Sequence, residues 1–221
     1  MRFAVSDFST LVFDCDGVIL ESNRVKSDAF FTVAASFGAD RAQRLLEYHL
    51  LHGGLSRNEK FAYFLDELIE IPTEYRAAAM EKLLVEYARI CERELISCPL
   101  IPGVGVLLGS IPAAVTSYVV TGGAQNEVRE VLSRRGLASR FADILGSPTS
   151  KRDNMASLAR AGAFRGRSLF FGDAALDMRL AEEFGLEFVF VYGASDWSDG
   201  RAQCPYPQIS DFTELRPHAS C

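Results

Sequence analysis

One short apolar run, Leu11-Val12-Phe13, is followed almost at once by a long stretch, Asn23 to Ile96, with helical spacing and no convincing strand pattern. The run is long enough for one buried strand. A strand needs neighbours, and four successive helices cannot supply them to a parallel sheet. The rest of the sheet must therefore come from residues beyond Ile96, and the helices must form a separate module inserted just after the first strand.

Inside the insertion, Val25, Ala29, Phe30, Val33, Ala34 and Phe37 fall at helical spacing, and Gly38 can end that helix. Asp40 with Gln43 reads as a capping pair opening a second helix through Leu50. His52-Gly53-Gly54 breaks the pattern. Ser56 with Glu59 starts a third helix, predicted to run to Ile71, and Pro72-Thr73 separates it from a long fourth helix, Glu74 to about Ile96.

At Cys98-Pro99 the texture changes. A short helix over Val104–Ser110 precedes strand patterns at Ala114–Thr121, Phe141–Gly146, Ser168–Gly172 and Leu186–Tyr192. Helical segments separate them: about Gln125 to Arg135, Ser150–Ala161 and Ala174–Phe184. Such alternation predicts an α/β fold, a Rossmann-like parallel sheet with right-handed crossovers. The division expected is a core of residues 1–21 and 98–221 with an all-helical domain at 22–97. The tail from Gly193 reads as loop with one short helix near Phe212, and no pattern assigns a place to Trp197.

Composition excludes several classes. The 221 residues are 48% apolar and 24% charged, with a net charge of −6. That balance suits a soluble globular chain and opposes nucleic-acid binding, which favours a basic patch. No apolar run reaches the roughly 18–20 residues of a membrane span. The N-terminus lacks the apolar segment of a signal peptide. Five cysteines (Cys15, Cys91, Cys98, Cys204, Cys221) show no paired spacing and read as reduced thiols in the cytosol. Cys91 and Cys98 could share a helix face if the helix runs that far. His49, His52 and His218 form no zinc pattern. Oligomeric state is not set by the sequence.

Ligands of open parallel sheets bind at the carboxyl ends of the strands. Asp14 and Asp16 lie at one such end, followed by Gly17, which can turn the chain or admit a ligand close to the backbone. Strand alternation points the two acids the same way, with Cys15 opposed. Alone, the pair either starts a turn or holds a cation. The other strand ends bring Thr121 and Gly122, the loop to Lys151, and Asp173 to the same edge.

These residues carry a resemblance to the haloacid dehalogenase-like superfamily of phosphotransferases. FDCDG matches the first of its motifs, VVTGG ending in Thr121 the second, Lys151 in SPTSK the third, and GDAALD with Asp173 and Asp177 the fourth. A helical insertion directly after the first motif resembles the phosphoglycolate phosphatase and β-phosphoglucomutase branch. One departure is Glu21 before Ser22, where that branch often has Asp.

The resemblance implies a Mg²⁺-dependent phosphatase of a small phosphorylated metabolite, a sugar phosphate by analogy with the branch. Asp14 would be nucleophile and metal ligand, and Asp16 proton donor and acceptor, its backbone carbonyl also a metal ligand. Thr121, Gly122 and Lys151 would hold the phosphoryl group, with Asp173 and Asp177 serving the metal. A phosphomutase would use the same residues, and a non-catalytic binding protein on the same fold is the remaining alternative. The insertion would be a cap that excludes water and reads the leaving group. In HGGLSRNEKF, Arg57 and Lys60 share a helix face. They either contact an anionic or polyhydroxylated substrate or form an ordinary solvated helix start.

Overall fold

Strand β1 (Thr10–Phe13) forms where four consecutive residues can be buried on both faces. Leu11 and Phe13 enter one apolar cluster and Val12 the other, as strand alternation requires. The computed structural model describes residues 4–215. His218 and Cys221, noted in the sequence, lie outside these residues.

β1 is flanked in parallel by β2 (Thr116–Ala124) and β4 (Ser168–Gly172). With β3 (Asp143–Ser147), β5 (Glu187–Val191) and β6 (Gln208–Ile209), these strands make a six-stranded parallel sheet of order β3-β2-β1-β4-β5-β6. That is the doubly wound order, in which the direction of winding reverses beside the first strand. Register sets Phe13 opposite Phe171, and the Asp14 N–H donates to the Phe171 carbonyl at 2.9 Å. The chain therefore leaves β1 and β4 side by side, which brings Asp14 and Asp173 together at the switch.

The helices between β1 and β2 are α1 (Asn23–Ala34), α2 (Ala39–Leu51), α3 (Arg57–Tyr63), α4 (Thr73–Ser97) and α5 (Val104–Ser110). α4 buries Leu83, Tyr87, Cys91 and Leu95, four apart along one stripe. This stripe, with Phe30, Phe61 and Phe64, belongs to the same apolar cluster as Phe13 and Phe171, so the insertion is seated on the core. Later strands are linked by α6 (Gln125–Arg134), α7 (Lys151–Arg160) and α8 (Ala175–Phe184), and α9 (Gly200–Gln203) precedes β6. The fold is α/β and Rossmann-like with a helical insertion after its first strand.

Local details depart from the sequence reading at four places. Asp40 and Gln43 form no capping pair: the cap of α2 lies two residues earlier, at Gly38, and Gln43 instead donates to Glu47 at 3.1 Å. The Ser56–Glu59 box does form, the Ser56 N–H donating to Glu59 at 2.9 Å. The third helix widens to a π-helix over Phe64–Ile69 and ends on Glu70 in left-handed conformation. α4 stops at Ser97, which leaves Cys98 beyond the helix. The tail also adds β6 and α9, which the loop-like composition after Gly193 did not signal.

Phe13 stacks on Phe171 with centroids 5.0 Å apart and meets Phe141 edge-on at 5.9 Å. Phe13→Ala should cost about 3–5 kcal/mol. Urea unfolding should show a lower midpoint at unchanged slope.

Candidate active site

The two carboxylates of the first motif project from the end of β1 into one cavity of about 540 Å³, while Cys15 between them packs into the apolar core. Gly17 turns the chain there with φ of +71°. A Cβ at Gly17 would come within 2.2 Å of an Asp173 oxygen, so only glycine lets the first and fourth motifs approach this closely.

Asp14, Asp173 and Asp177 form a buried triad, each offering a carboxylate oxygen, with these atoms within 4.8 Å of one another. Lys151 begins α7 behind the Ser150 cap and lies 2.9 Å from Asp14 and 2.7 Å from Asp177. Asp177 is divided between tasks: Oδ1 accepts from Lys151, and Oδ2 accepts from the Ala174 N–H at 3.2 Å at the start of α8. Burial raises the Asp14 carboxyl to about 7; Lys151 opposes that rise, while Asp177 and Asp16 add to it. Burial and then the charges of Asp14 and Asp177 push Asp173 well above the usual carboxylate range. Lys151 is raised, because its two carboxylate partners outweigh its burial. Three carboxylates against one ammonium leave an excess of negative charge that a hard divalent cation would balance, and an all-oxygen donor set suits Mg²⁺.

Asp16 is held differently. Ser22 donates to it at 2.5 Å, and Lys26 of α1 pairs with its other oxygen. Burial favours its neutral form, but Lys26 and Ser22 prevail and hold the carboxyl below its ordinary value. Asn23, also on α1, donates to Asp173 at 2.7 Å and to the Ala194 carbonyl at 2.8 Å. The first helix of the insertion therefore touches two of the motif acids. Sequence reasoning noted Ser22 only as the residue after Glu21 and did not find Lys26 or Asn23. Their only signal was position, just after the first motif on the polar side of an amphipathic helix.

Thr121 is fully buried near the end of β2, and its oxygen accepts from the Gly123 N–H at 3.0 Å. Gly122 lines the cavity beneath the insertion's loop. A Cβ there would lie 2.5 Å from the Gly54 carbonyl oxygen. Gly54 in turn lies over Lys151 and Leu176. The Gly53-Gly54 loop thus covers the strand ends.

Arg57 and Lys60 both line the cavity. Arg57 is not a solvated helix start: it makes a fork to Glu127 at 2.6 and 2.9 Å in the first turn of α6, and it lies over the Tyr87 ring. Lys60 is 3% exposed and contacts His49 Nδ1 at 2.6 Å, above the Phe30 ring. Burial, then the charge of Lys60, drives His49 down to about 2 and keeps it neutral. Trp197 and Asp196 border the same cavity, and Trp197 packs on Phe190 at 5.1 Å.

The sequence profile of the haloacid dehalogenase-like hydrolases matches residues 11–191, most of the chain. The chain belongs to that family and is accordingly an enzyme of the hydrolase class. Solved structures share its fold at low identity. β-Phosphoglucomutase from Clostridium difficile is 16% identical with a TM-score of 0.71, covering 95% of this chain and 93% of its own. CbbY from Rhodobacter sphaeroides, solved in complex with phosphate, is 17% identical with a TM-score of 0.71, covering 94% and 96%. A protein assigned as a phosphoglycolate phosphatase from Lactobacillus plantarum is 16% identical with a TM-score of 0.70, covering 94% and 97%. Among curated proteins, no sequence matches.

Burial lowers the Lys60 ammonium to about 7, and Lys26 adds to that effect. A free lysine titrates near 10.4, so between these values the unfolded chain binds the extra proton and stability rises with pH. Lys60→Met should therefore stabilise the fold by roughly 1–3 kcal/mol at pH 7 and below. The gain should shrink as pH approaches the ordinary lysine range, read as melting temperature across pH.

Proposed function

We propose that the protein is a Mg²⁺-dependent phosphatase of a small phosphorylated metabolite. The observation that carries this reading is the buried assembly of Asp14, Asp173, Asp177 and Lys151, of which Asp14 and Asp173, together with Asp16, line the cavity. Asp14 and Asp173, with the backbone carbonyl of Asp16, would hold the ion, and Asp177 would support them. Bound there, Mg²⁺ supplies charge neutralisation for a dianionic phosphate ester approaching a carboxylate.

The side chains divide the remaining work. An Asp14 oxygen attacks phosphorus, and the ester P–O bond breaks as an acyl phosphate forms. Asp16 delivers a proton to the departing oxygen, then takes one from the water that cleaves the acyl phosphate. In the substrate-free arrangement Asp16 is ionised and paired with Lys26, so proton delivery requires that substrate entry open that pair and that Asp16 first take up a proton from solvent. Lys151 offers its ammonium to the phosphoryl oxygens. Thr121 has its oxygen engaged by Gly123 and retains its O–H to donate.

Residues 22–97 act as a cap over a core of residues 1–21 and 98–221. The contact of Gly54 with Gly122 and the Arg57–Glu127 fork support a closed arrangement that keeps water from the acyl phosphate until the leaving group departs. The described Cys15, Cys91, Cys98 and Cys204 are free thiols, in keeping with a cytosolic enzyme.

A panel of phosphate esters assayed with Mg²⁺ for orthophosphate release tests the reading. Asp14→Asn should lower turnover by a factor of roughly 10³ or more, and chelation should abolish it, with Mg²⁺ restoring it. Formation of a positional isomer in place of orthophosphate would identify a mutase. Absence of turnover on any ester would favour a binding protein. Gly122→Ala should force the Gly54 loop off the strand ends and lower kcat/KM by about 10²-fold, mostly through misplacement of the substrate.

A further inference from the structure

Ser22 and Asn23, at the start of α1, direct their side chains to the acids of the site instead of to their own helix. Ser22 stands at the cap position, yet its hydroxyl makes no capping bond and donates to Asp16. A serine there ordinarily accepts from a backbone N–H of the first turn, and forgoing that bond weakens the helix start. Asn23 donates twice from its side-chain nitrogen: to Asp173 Oδ2 at 2.7 Å and to the Ala194 carbonyl at 2.8 Å. A carbonyl only accepts, so the amide nitrogen must face Ala194, and its other N–H is given to Asp173.

The approach of these groups is tight. A Cβ at Gly17 would lie 2.2 Å from Asp173 Oδ2 and 2.7 Å from the Asn23 nitrogen. Oδ2 is thus enclosed between the Gly17 turn and the amide. The main chain of Asp173 is held from the core: Ser195, in the loop after β5, donates to its carbonyl. Its carboxylate is held from the insertion. Asn23 also stands where the catalytic cavity meets a second one, of about 600 Å³, between the insertion and the loop after β5. Arg24, Asp28 and Glu94 line that second cavity on one side, and Gly193, Ala194 and Ser195 on the other. The Asn23 amide is a direct tie across this boundary.

We propose that Asn23 is a positioning residue for the metal: it orients the Asp173 carboxylate toward the ion and, carried by the first helix of the insertion, makes Mg²⁺ affinity depend on where the insertion stands. The inference rests on the metal assignment made above. With Oδ2 engaged by the amide, Oδ1 is the oxygen assigned to the ion. A hydrogen bond to a ligating carboxylate fixes its rotation before the ion arrives, and loss of such a partner costs about 10- to 100-fold in affinity. The coupling is reciprocal. An insertion displaced from the end of β4 takes the amide with it and leaves the carboxylate free to turn. An ion held by Asp14 and Asp173 in turn favours the position in which Asn23 reaches Asp173. Asn23 thus links α1 to the metal acids, as Lys26 links it to the proton-transfer acid.

The test is a calorimetric titration of the full chain with Mg²⁺ alone. Asn23→Ala should raise the Kd for Mg²⁺ by about 10- to 100-fold, and Asn23→Gln, which keeps the donors, should recover part of the loss. On an ester that the wild type hydrolyses, kcat of Asn23→Ala should be largely recovered at saturating Mg²⁺, with the half-saturating Mg²⁺ concentration rising in step with Kd. Mg²⁺ should slow hydrogen exchange of the α1 amides in the wild type and leave it unchanged in Asn23→Ala. Thermal melting verifies the fold. Asn23→Ser, whose single donor cannot serve both partners, replaces Asn23→Ala if the latter is unfolded. An unchanged Kd in the variant, or α1 exchange that responds to Mg²⁺ equally with and without the Asn23 side chain, would overturn the proposal. Mg²⁺ binding that depends on Asn23, with no orthophosphate released from any ester, would remove the phosphatase reading and leave the coupling standing. Binding and hydrolysis both indifferent to Asn23 would do the reverse.

Discussion

Burying three carboxylates around a single ammonium is the condition on which the rest of this structure depends. Asp14, Asp173 and Asp177 repel one another, and burial raises the cost of each charge. Lys151, within 2.9 Å of two of them, relieves part of that cost. The arrangement persists because it is built on rigid elements. Asp14 extends β1, Asp173 follows β4, Asp177 closes the first turn of α8, and Lys151 opens α7. An apolar sheet buried on both faces supplies the stability that the polar cluster consumes.

The insertion is coupled to this cluster through charge. Lys26 and Asn23, on its first helix, reach Asp16 and Asp173, and Arg57, on its third, reaches Glu127 of the core. These contacts tie the same acids that chemistry would use to the module that would select substrate. Movement of the insertion would thus alter the partners of Asp16 directly, without a relay through the sheet. Lys60, buried in the same cavity, makes no ion pair among the described residues and contacts the neutral His49 instead.

Much of this was legible in the sequence, for reasons that are local. The β1, β4 and β5 strands are continuous apolar runs, as buried parallel strands must be. The Ser56–Glu59 box and Gly38 mark helix ends by their own backbone chemistry. What could not be read locally depended on competition between alternatives. Asp40 and Gln43 had the capping pattern, but Gly38 with φ of +108° started the helix ahead of them. β6 is two residues long, too short for any periodicity, and exists because β5 offers it an edge. Lys26 and His49 look like ordinary helix residues until packing brings Asp16 to one and Lys60 to the other.

By itself the sequence determined the family, the sheet core with its helical insertion, and the acids and lysine at the strand ends. Those follow from periodicity and from residue types placed at fixed points on local elements. Only the tertiary structure decided which charges meet. It gave Asp177 to Lys151 as well as to the start of α8, paired Asp16 with Lys26, matched Arg57 to Glu127 and left Lys60 with a neutral partner. Pairing between long side chains depends on the distance and burial that packing imposes, and neither quantity is a property of any segment alone.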